Sequence, residues 1–173
     1  MTNFSLIPFN SNTAPAIAIE GDIERNSDCL KIEYRLEGVS QIIVPEQNDL
    51  PTRRYDLWEH TCFEFFLGLK DSTIYWEFNL SPAKDWNVFH FPNYRRNIAE
   101  EMAFNTLPFE VLLQDDSLLL NLEVRLDKII SESDLEVGIT TVVEDEQQLS
   151  YWALTHPAKQ ADFHDRDSFI ITL

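Results

Sequence analysis

Residues 117–126, SLLLNLEVRL, constrain the fold more than any other stretch. Leu118, Leu120, Leu122, Val124 and Leu126 alternate with Leu119, Asn121, Glu123 and Arg125. A period of two sends successive side chains to opposite faces of an extended chain, so this run is a strand with one side for a core. Similar runs recur at 15–24, 29–37, 40–44, 60–68, 74–81, 86–92, 108–114, 135–144, 149–154 and 168–173, with turn-forming residues between them. QDDS before Ser117 and GLKDST at 68–73 read as hairpin loops. Helix is scarce: 94–104 predicts one or two turns and 127–134 predicts one. The expectation is all-β, an antiparallel β-sandwich of jelly-roll type with one or two short helices, residues 1–173 forming one domain. A closed barrel is the alternative.

The 173 residues are enough for a real hydrophobic core. Thirty acidic against 13 basic residues give a net charge of −17. A field of that sign repels phosphate backbones and anionic lipid, which argues against nucleic-acid and membrane partners. Cys29 and Cys62 lie far apart and read as two packed thiols, with a single disulfide as the other possibility. Neither a basic-then-apolar leader nor a run of about 18 apolar residues is visible, so the expected location is cytoplasmic. A homodimer is compatible with such a chain.

LWEHTCFEFFLG, residues 57–68, raises the functional question, because Glu64 sits in the middle of a greasy strand. Alternation puts Phe63, Phe65 and Leu67 on one side, Cys62, Glu64 and Phe66 on the other. Closing the 68–73 loop with Leu67 opposite Ile74 sets Phe65 against Trp76, Phe63 against Phe78, and Glu64 against Glu77. A second hairpin around SPAKDW, with Phe78 opposite Phe89, keeps one face apolar. The other then collects Glu64, Glu77, Asn79, Ser81, Trp86, Val88 and His90. Like charges facing each other across two strands are unfavourable, so something must compensate them: an arginine, a bound cation, a shared proton or a polyhydroxyl ligand; Arg35, Arg95 and Arg96 are the candidates within the chain.

Three readings of this face stay open. It is a structural arginine–glutamate network, a sugar-binding groove, or a carboxylate pair for glycoside hydrolysis. A sugar site wants an aromatic plate for the apolar ring face and convergent polar groups for the hydroxyls. Trp86 supplies the plate, with Trp58 or Tyr94 beside it. Glu77, Asn79 and His90 serve the hydroxyls, and Glu64 holds Arg35.

LWEHTCFEFFLG followed by YWEFNLSPAKDWNVFHF, with YWALTHPAKQADFHDRDSF at 151–169, resembles the DOMON-like group related to family-nine carbohydrate-binding modules. The matching residues are Trp58, Thr61, Cys62, Phe63, Glu64, Glu77, Asn79, Pro82, Trp86, Trp152, His156, Pro157, Asp162, His164, Arg166 and Asp167. The resemblance implies an antiparallel sandwich that binds a sugar or another small ligand without catalysis. In family-nine modules two tryptophans grip the sugar, and Trp58, Tyr94 and Trp152 are the candidates for the second plate.

Other chemistry has less support. His156, Asp162, His164 and Asp165 have ligand-like spacing for a divalent ion, but DFHDRD reads equally as a corner tied by its own side chains. Met102 with His90 is the one pair suited to haem. No Gly-rich phosphate loop or Gly-x-Ser-x-Gly elbow occurs. The expectation is a non-enzymatic domain with no cofactor and a small-molecule partner, a sugar, held by Glu64, Glu77, Asn79, Trp86, His90, Arg35, Trp58 and Tyr94. A carboxylate-dependent glycoside-processing enzyme and a purely structural or partner-binding domain are the alternatives.

Overall fold

The structure, a computed structural model, describes residues 1–130 and 133–173. Among these, the strands are β1 (Thr2–Ser5), β2 (Ile7–Pro8), β3 (Ala18–Asn26), β4 (Cys29–Glu37), β5 (Cys62–Leu69), β6 (Tyr75–Leu80), β7 (Trp86–Phe91), β8 (Ala99–Glu100), β9 (Phe109–Gln114), β10 (Ser117–Arg125), β11 (Leu135–Glu144), β12 (Leu149–Ala153) and β13 (Ile171–Thr172). They form two antiparallel sheets. The smaller runs β1-β3-β4-β10-β9, and the larger runs β2-β12-β11-β5-β6-β7-β8 with β13 also on β11. The fold is a β-sandwich, as expected, with two separate sheets in place of the alternative closed barrel.

The core lies between the sheets. Leu118, Leu120, Leu122 and Val124 of β10 and Leu30, Ile32, Tyr34 and Leu36 of β4 point inward. They meet Phe63, Phe65 and Leu67 of β5, Trp76, Phe78 and Leu80 of β6, and Val137 and Ile139 of β11. Burying each such side chain stabilises by roughly 1.5–3 kcal/mol, so a one-residue slip of β5 is strongly disfavoured. Tyr34 reaches across the layer, donating its hydroxyl to the Glu64 carbonyl at 2.7 Å.

Short helices occur elsewhere than expected. Single 3-10 turns span Val39–Gln41, Leu57–Glu59 and Arg166–Ser168. The first takes the place of much of the strand expected at 40–44. No helix forms at 94–104, where Arg95 and Asn97 have left-handed backbones with φ of 49° and 54°, which interrupts any helical run. β8 occupies part of that segment instead. Of the turn expected at 127–134, residues 131 and 132 lie outside the described residues; the rest forms a turn at Asp127–Ile129.

Both central hairpins depart from the expected register. β5 and β6 pair Glu64 with Asn79 and Phe66 with Glu77, a shift of two residues that keeps every side chain on its expected face. β6 and β7 pair Leu80 with Trp86, Phe78 with Val88 and Trp76 with His90. That one-residue shift turns β7 over. Trp86 and Val88 join the core, while Asn87, Phe89 and Phe91 take the face shared by Glu77 and Asn79.

The outer face of the larger sheet is covered by the chain after β12. Two glycines permit this. A Cβ on Gly68 would lie 2.4 Å from the Arg166 guanidinium carbon, and one on Gly138 would lie 2.7 Å from the Phe169 ring. Arg166 donates to the carbonyls of Leu69 and Ser72, each at 3.1 Å. Phe169 packs with Phe66, Tyr75, Phe89 and Phe91 in a second apolar cluster.

Candidate functional site

β11, β5 and β6 run side by side and offer Val142, Glu64 and Glu77 to a cleft of about 870 Å³ on this outer face. Trp58 stands on one wall, braced edge-on by Tyr55 at 5.4 Å and Phe89 at 5.9 Å. Phe9, Tyr151 and Phe163 line other parts, Tyr151 and Phe163 meeting edge to face at 5.9 Å. Phe91, Arg95, Ile98, Gln160 and His164 complete the lining together with Glu59.

Glu64 is 2% exposed and Glu77 6%. They are diagonal rather than direct cross-strand neighbours. Asn79 fills the space between, donating its amide to Glu77 Oε1 at 2.8 Å. Thr140 donates to Glu64 Oε2 at 3.4 Å. Glu64 Oε1 is buried with no hydrogen-bond partner among the described residues. An unsatisfied buried carboxyl oxygen costs free energy unless a ligand or water reaches it.

Burial, reinforced by the charge of Glu77, pushes the Glu64 carboxyl well above the usual range. Glu77 is raised to about 7, mainly by burial, against the opposing pull of the Asn79 hydrogen bond and the Arg95 charge. His164 moves the other way, to about 4, because burial and then the Arg95 charge disfavour its cation. It is therefore neutral near pH 7. Its Nδ1 lies 2.9 Å from the Tyr75 hydroxyl, which itself accepts from the Arg95 backbone N–H at 3.2 Å. A phenol proton donated to Nδ1 leaves the ring N–H on Nε2, which faces Glu77 Oε2 at 3.7 Å. Arg95 is already held by Asp162, Nη2 to Oδ1 at 2.7 Å.

The expected site residues divide. Glu64, Glu77 and Asn79 come together, and Trp58 stands over them. Tyr94 is at the side, half exposed, its hydroxyl donating to Asp162. Trp86 does not belong to this face: it is a core residue, 2% exposed, with the Arg53 guanidinium 4.4 Å from its ring centre. His90 lies on the core side as well, 5.2 Å from the Trp76 ring. Arg35 projects from the outer face of the opposite sheet, with Glu33 at 3.9 Å, and cannot hold Glu64. Trp152 is also core, its indole donating to Ser150 at 3.0 Å. Of the His/Asp cluster, His156 contacts the Ile7 carbonyl at 2.9 Å, Asp162 binds Arg95, and His164 enters the cleft. Their directions diverge, and no group of three metal-ligating side chains converges among the described residues.

Phe91, Tyr151 and Phe163 were not expected at the site. Phe91 was hidden by the β7 register. Phe163 stands within DFHDRD, whose histidine was singled out for another purpose.

No family model and no curated protein matches the chain, so the family reading rests on the motifs quoted above. Solved structures do match. A candidate carbohydrate-binding protein from Bacteroides uniformis superposes with a TM-score of 0.74 at 11% identity, covering 98% of this chain and 84% of that one. A family 9 carbohydrate-binding module from Caldicellulosiruptor kristjanssonii in complex with glucose gives 0.49 at 10% identity, covering 85% and 71%. At such identities the likeness is one of fold, and the first match carries it.

Proposed function

We propose that this chain is a non-catalytic carbohydrate-binding domain whose sugar sits in the cleft above Glu64 and Glu77. The observation that carries the reading is the buried Glu64 carboxyl, whose Oε1 has no partner among the described residues, in the lining of an aromatic-walled cleft. A sugar brings what that floor lacks, hydroxyls that both donate and accept. Trp58 and Tyr151 offer surfaces for the apolar face of a pyranose ring. Burial favours the protonated form of both carboxyls, in which a carboxyl donates a hydrogen bond as well as accepting. The likeness in fold to a candidate carbohydrate-binding protein supports the reading at the level of class.

Calorimetry with mono- and oligosaccharides tests it. Binding is expected, with an affinity that falls at least tenfold in Trp58→Ala. Flat isotherms at millimolar sugar with folded protein would end the proposal. A second reading has one observation in its favour: a carboxyl raised to about 7, as at Glu77, suits a general acid. Turnover of chromogenic glycosides, abolished in both Glu64→Gln and Glu77→Gln, would replace binding by hydrolysis.

A further inference from the structure

We infer that the cleft selects an amino sugar, with the ligand's ammonium group seated between Glu64 and Glu77. The inference rests on the carbohydrate reading and narrows it to a class of sugar. Two buried carboxyls face the cleft, and among the described residues neither has a cationic partner of its own. Arg95 is spent on Asp162 through Nη2 and Nε, at 2.7 and 3.3 Å. His164, whose Nε2 lies 3.7 Å from Glu77 Oε2, is neutral near pH 7. An ammonium group has three donors and no acceptor. One is placed for the Glu64 carboxyl, whose Oε1 has no partner among the described residues, and another for Glu77 Oε2, which lies 3.7 Å from His164 Nε2. Charge-assisted bonds of this kind are about twice as strong as neutral ones. Trp58, Phe91 and Phe163 line the same cleft, and aromatic rings favour a nearby cation.

A neutral sugar meets the floor as it stands, but an ammonium changes it. The positive charge favours ionised Glu77, so below pH 7 binding expels a proton from that carboxyl to solvent while the amine keeps its own. The titratable and charged groups around Glu77 are Glu64 and Cys62 from β5, Tyr75 on its own strand, Arg95 after β7, and Asp162 and His164 in the chain after β12, with Glu59 at the rim. Cys62 and Tyr75 are pushed further from ionisation by burial. Arg95 and Asp162 stay charged as a pair. The charge of Glu77 raises Glu64 further, so the two carboxyls give up their protons as a pair. The proton released between pH 5 and 7 is the first of that pair, to which Glu77, raised to about 7, contributes.

The test is calorimetry of the whole chain with glucosamine, glucose and N-acetylglucosamine at pH 5, 6 and 7. Glucosamine is expected to bind about tenfold more tightly than either neutral sugar at pH 7, the gain of an added ion pair. Its advantage should shrink by up to about tenfold per pH unit below 7, as the proton on Glu77 resists removal. In a buffer of high ionisation heat, its binding heat should shift by about one proton at pH 6. Glu77→Gln should flatten the pH dependence of the glucosamine-to-glucose ratio. Equal affinities at pH 7 would overturn the inference and leave carbohydrate binding standing, as would tighter binding of the N-acetyl form. A glucosamine preference that is the same at pH 5 and 7 would remove Glu77 from it. No heat with any of the three sugars, from folded protein, would remove the carbohydrate reading itself.

Discussion

The two sheets of the sandwich turn very different outer faces to their surroundings. On the smaller sheet, Lys31, Arg35 and Glu37 of β4 and Glu123 and Arg125 of β10 point outward, charged and open to water. Lys31 pairs with Glu123 at 3.1 Å and Arg35 approaches Glu33 at 3.9 Å. A smaller cleft of about 610 Å³ there has Asp22, Glu24, Lys31, Glu33, Glu110 and Glu123 in its lining. On the larger sheet the equivalent positions are Glu64, Glu77, Asn79, Phe66, Tyr75 and Phe89, all buried. The same residue type behaves oppositely on the two sides. The hydrogen bond from Lys31 holds Glu123 below the usual carboxylate range, whereas burial lifts Glu77 to about 7. What separates them is cover: the turn at 57–59, the loop after β7 and the chain after β12 close over one sheet, and water covers the other.

The largest effect should come from removing a ring on the covered side. Tyr75 is fully buried, stacks on Phe91 at 4.7 Å and holds His164 through its hydroxyl. Tyr75→Ala is expected to cost about 3–5 kcal/mol, read from the urea midpoint. Leu119→Ala, at a half-buried outward position of β10, should cost about 1 kcal/mol or less. Similar costs at the two positions would mean that the covering chain does not pack on the larger sheet in solution.

Next in size is the pH response of Glu77. Its folded pKa of about 7 lies above the unfolded value near 4.5. The protonated carboxyl therefore stabilises the fold fully below about 4.5, and that contribution is lost as pH rises through 7. The loss is on the order of 3 kcal/mol. Urea midpoints taken from pH 4.5 to 8 should fall more steeply in the natural protein than in Glu77→Gln. Parallel curves would show that Glu77 is as hydrated as an ordinary surface carboxylate.

The same contrast explains what the sequence disclosed. On β4 and β10 alternation was decisive, because one side is apolar and the other charged; SLLLNLEVRL could face only one way. On β7 both sides are rich in apolar residues: Trp86 and Val88 alternate with Phe89 and Phe91, so periodicity could not choose between them. The choice is made by Asp85, buried in the turn before β7. It accepts bonds from Thr52 N and Oγ1, both at 3.0 Å, and from Asn48 at 2.8 Å. Lys84, with a left-handed φ of 73°, sits in a tight turn closed by the Ser81 N–H donating to the Asp85 carbonyl at 2.9 Å, and the strands leave it one residue out of the expected register. Those partners lie more than 30 positions away, beyond the reach of local pattern reading. Glu64, Glu77 and Asn79 survived because the β5–β6 error was an even number of residues. His164 was visible as a candidate, but its destination depended on Gly68 and Gly138, which leave room for the returning chain.

The smallest expected effect lies on the open side and is the sharpest comparison, since it uses the same substitution. Glu123 has a lowered pKa, so its ionised form stabilises the fold above the unfolded pKa, and that contribution fades as pH falls through the folded one. The sign is opposite to that of Glu77. Glu123 and Lys31 are both solvated, however, and salt screens their pairing, so little of this reaches the midpoint. Glu123→Gln should leave the urea midpoint at pH 7 and ordinary ionic strength unchanged within error, with any loss confined to low salt. Glu77→Gln should raise the midpoint at pH 8, because it replaces a carboxylate forced to ionise in a covered site by a neutral amide of the same shape. If both substitutions moved the midpoint in the same direction and by similar amounts, solvent cover could not be what distinguishes the two faces.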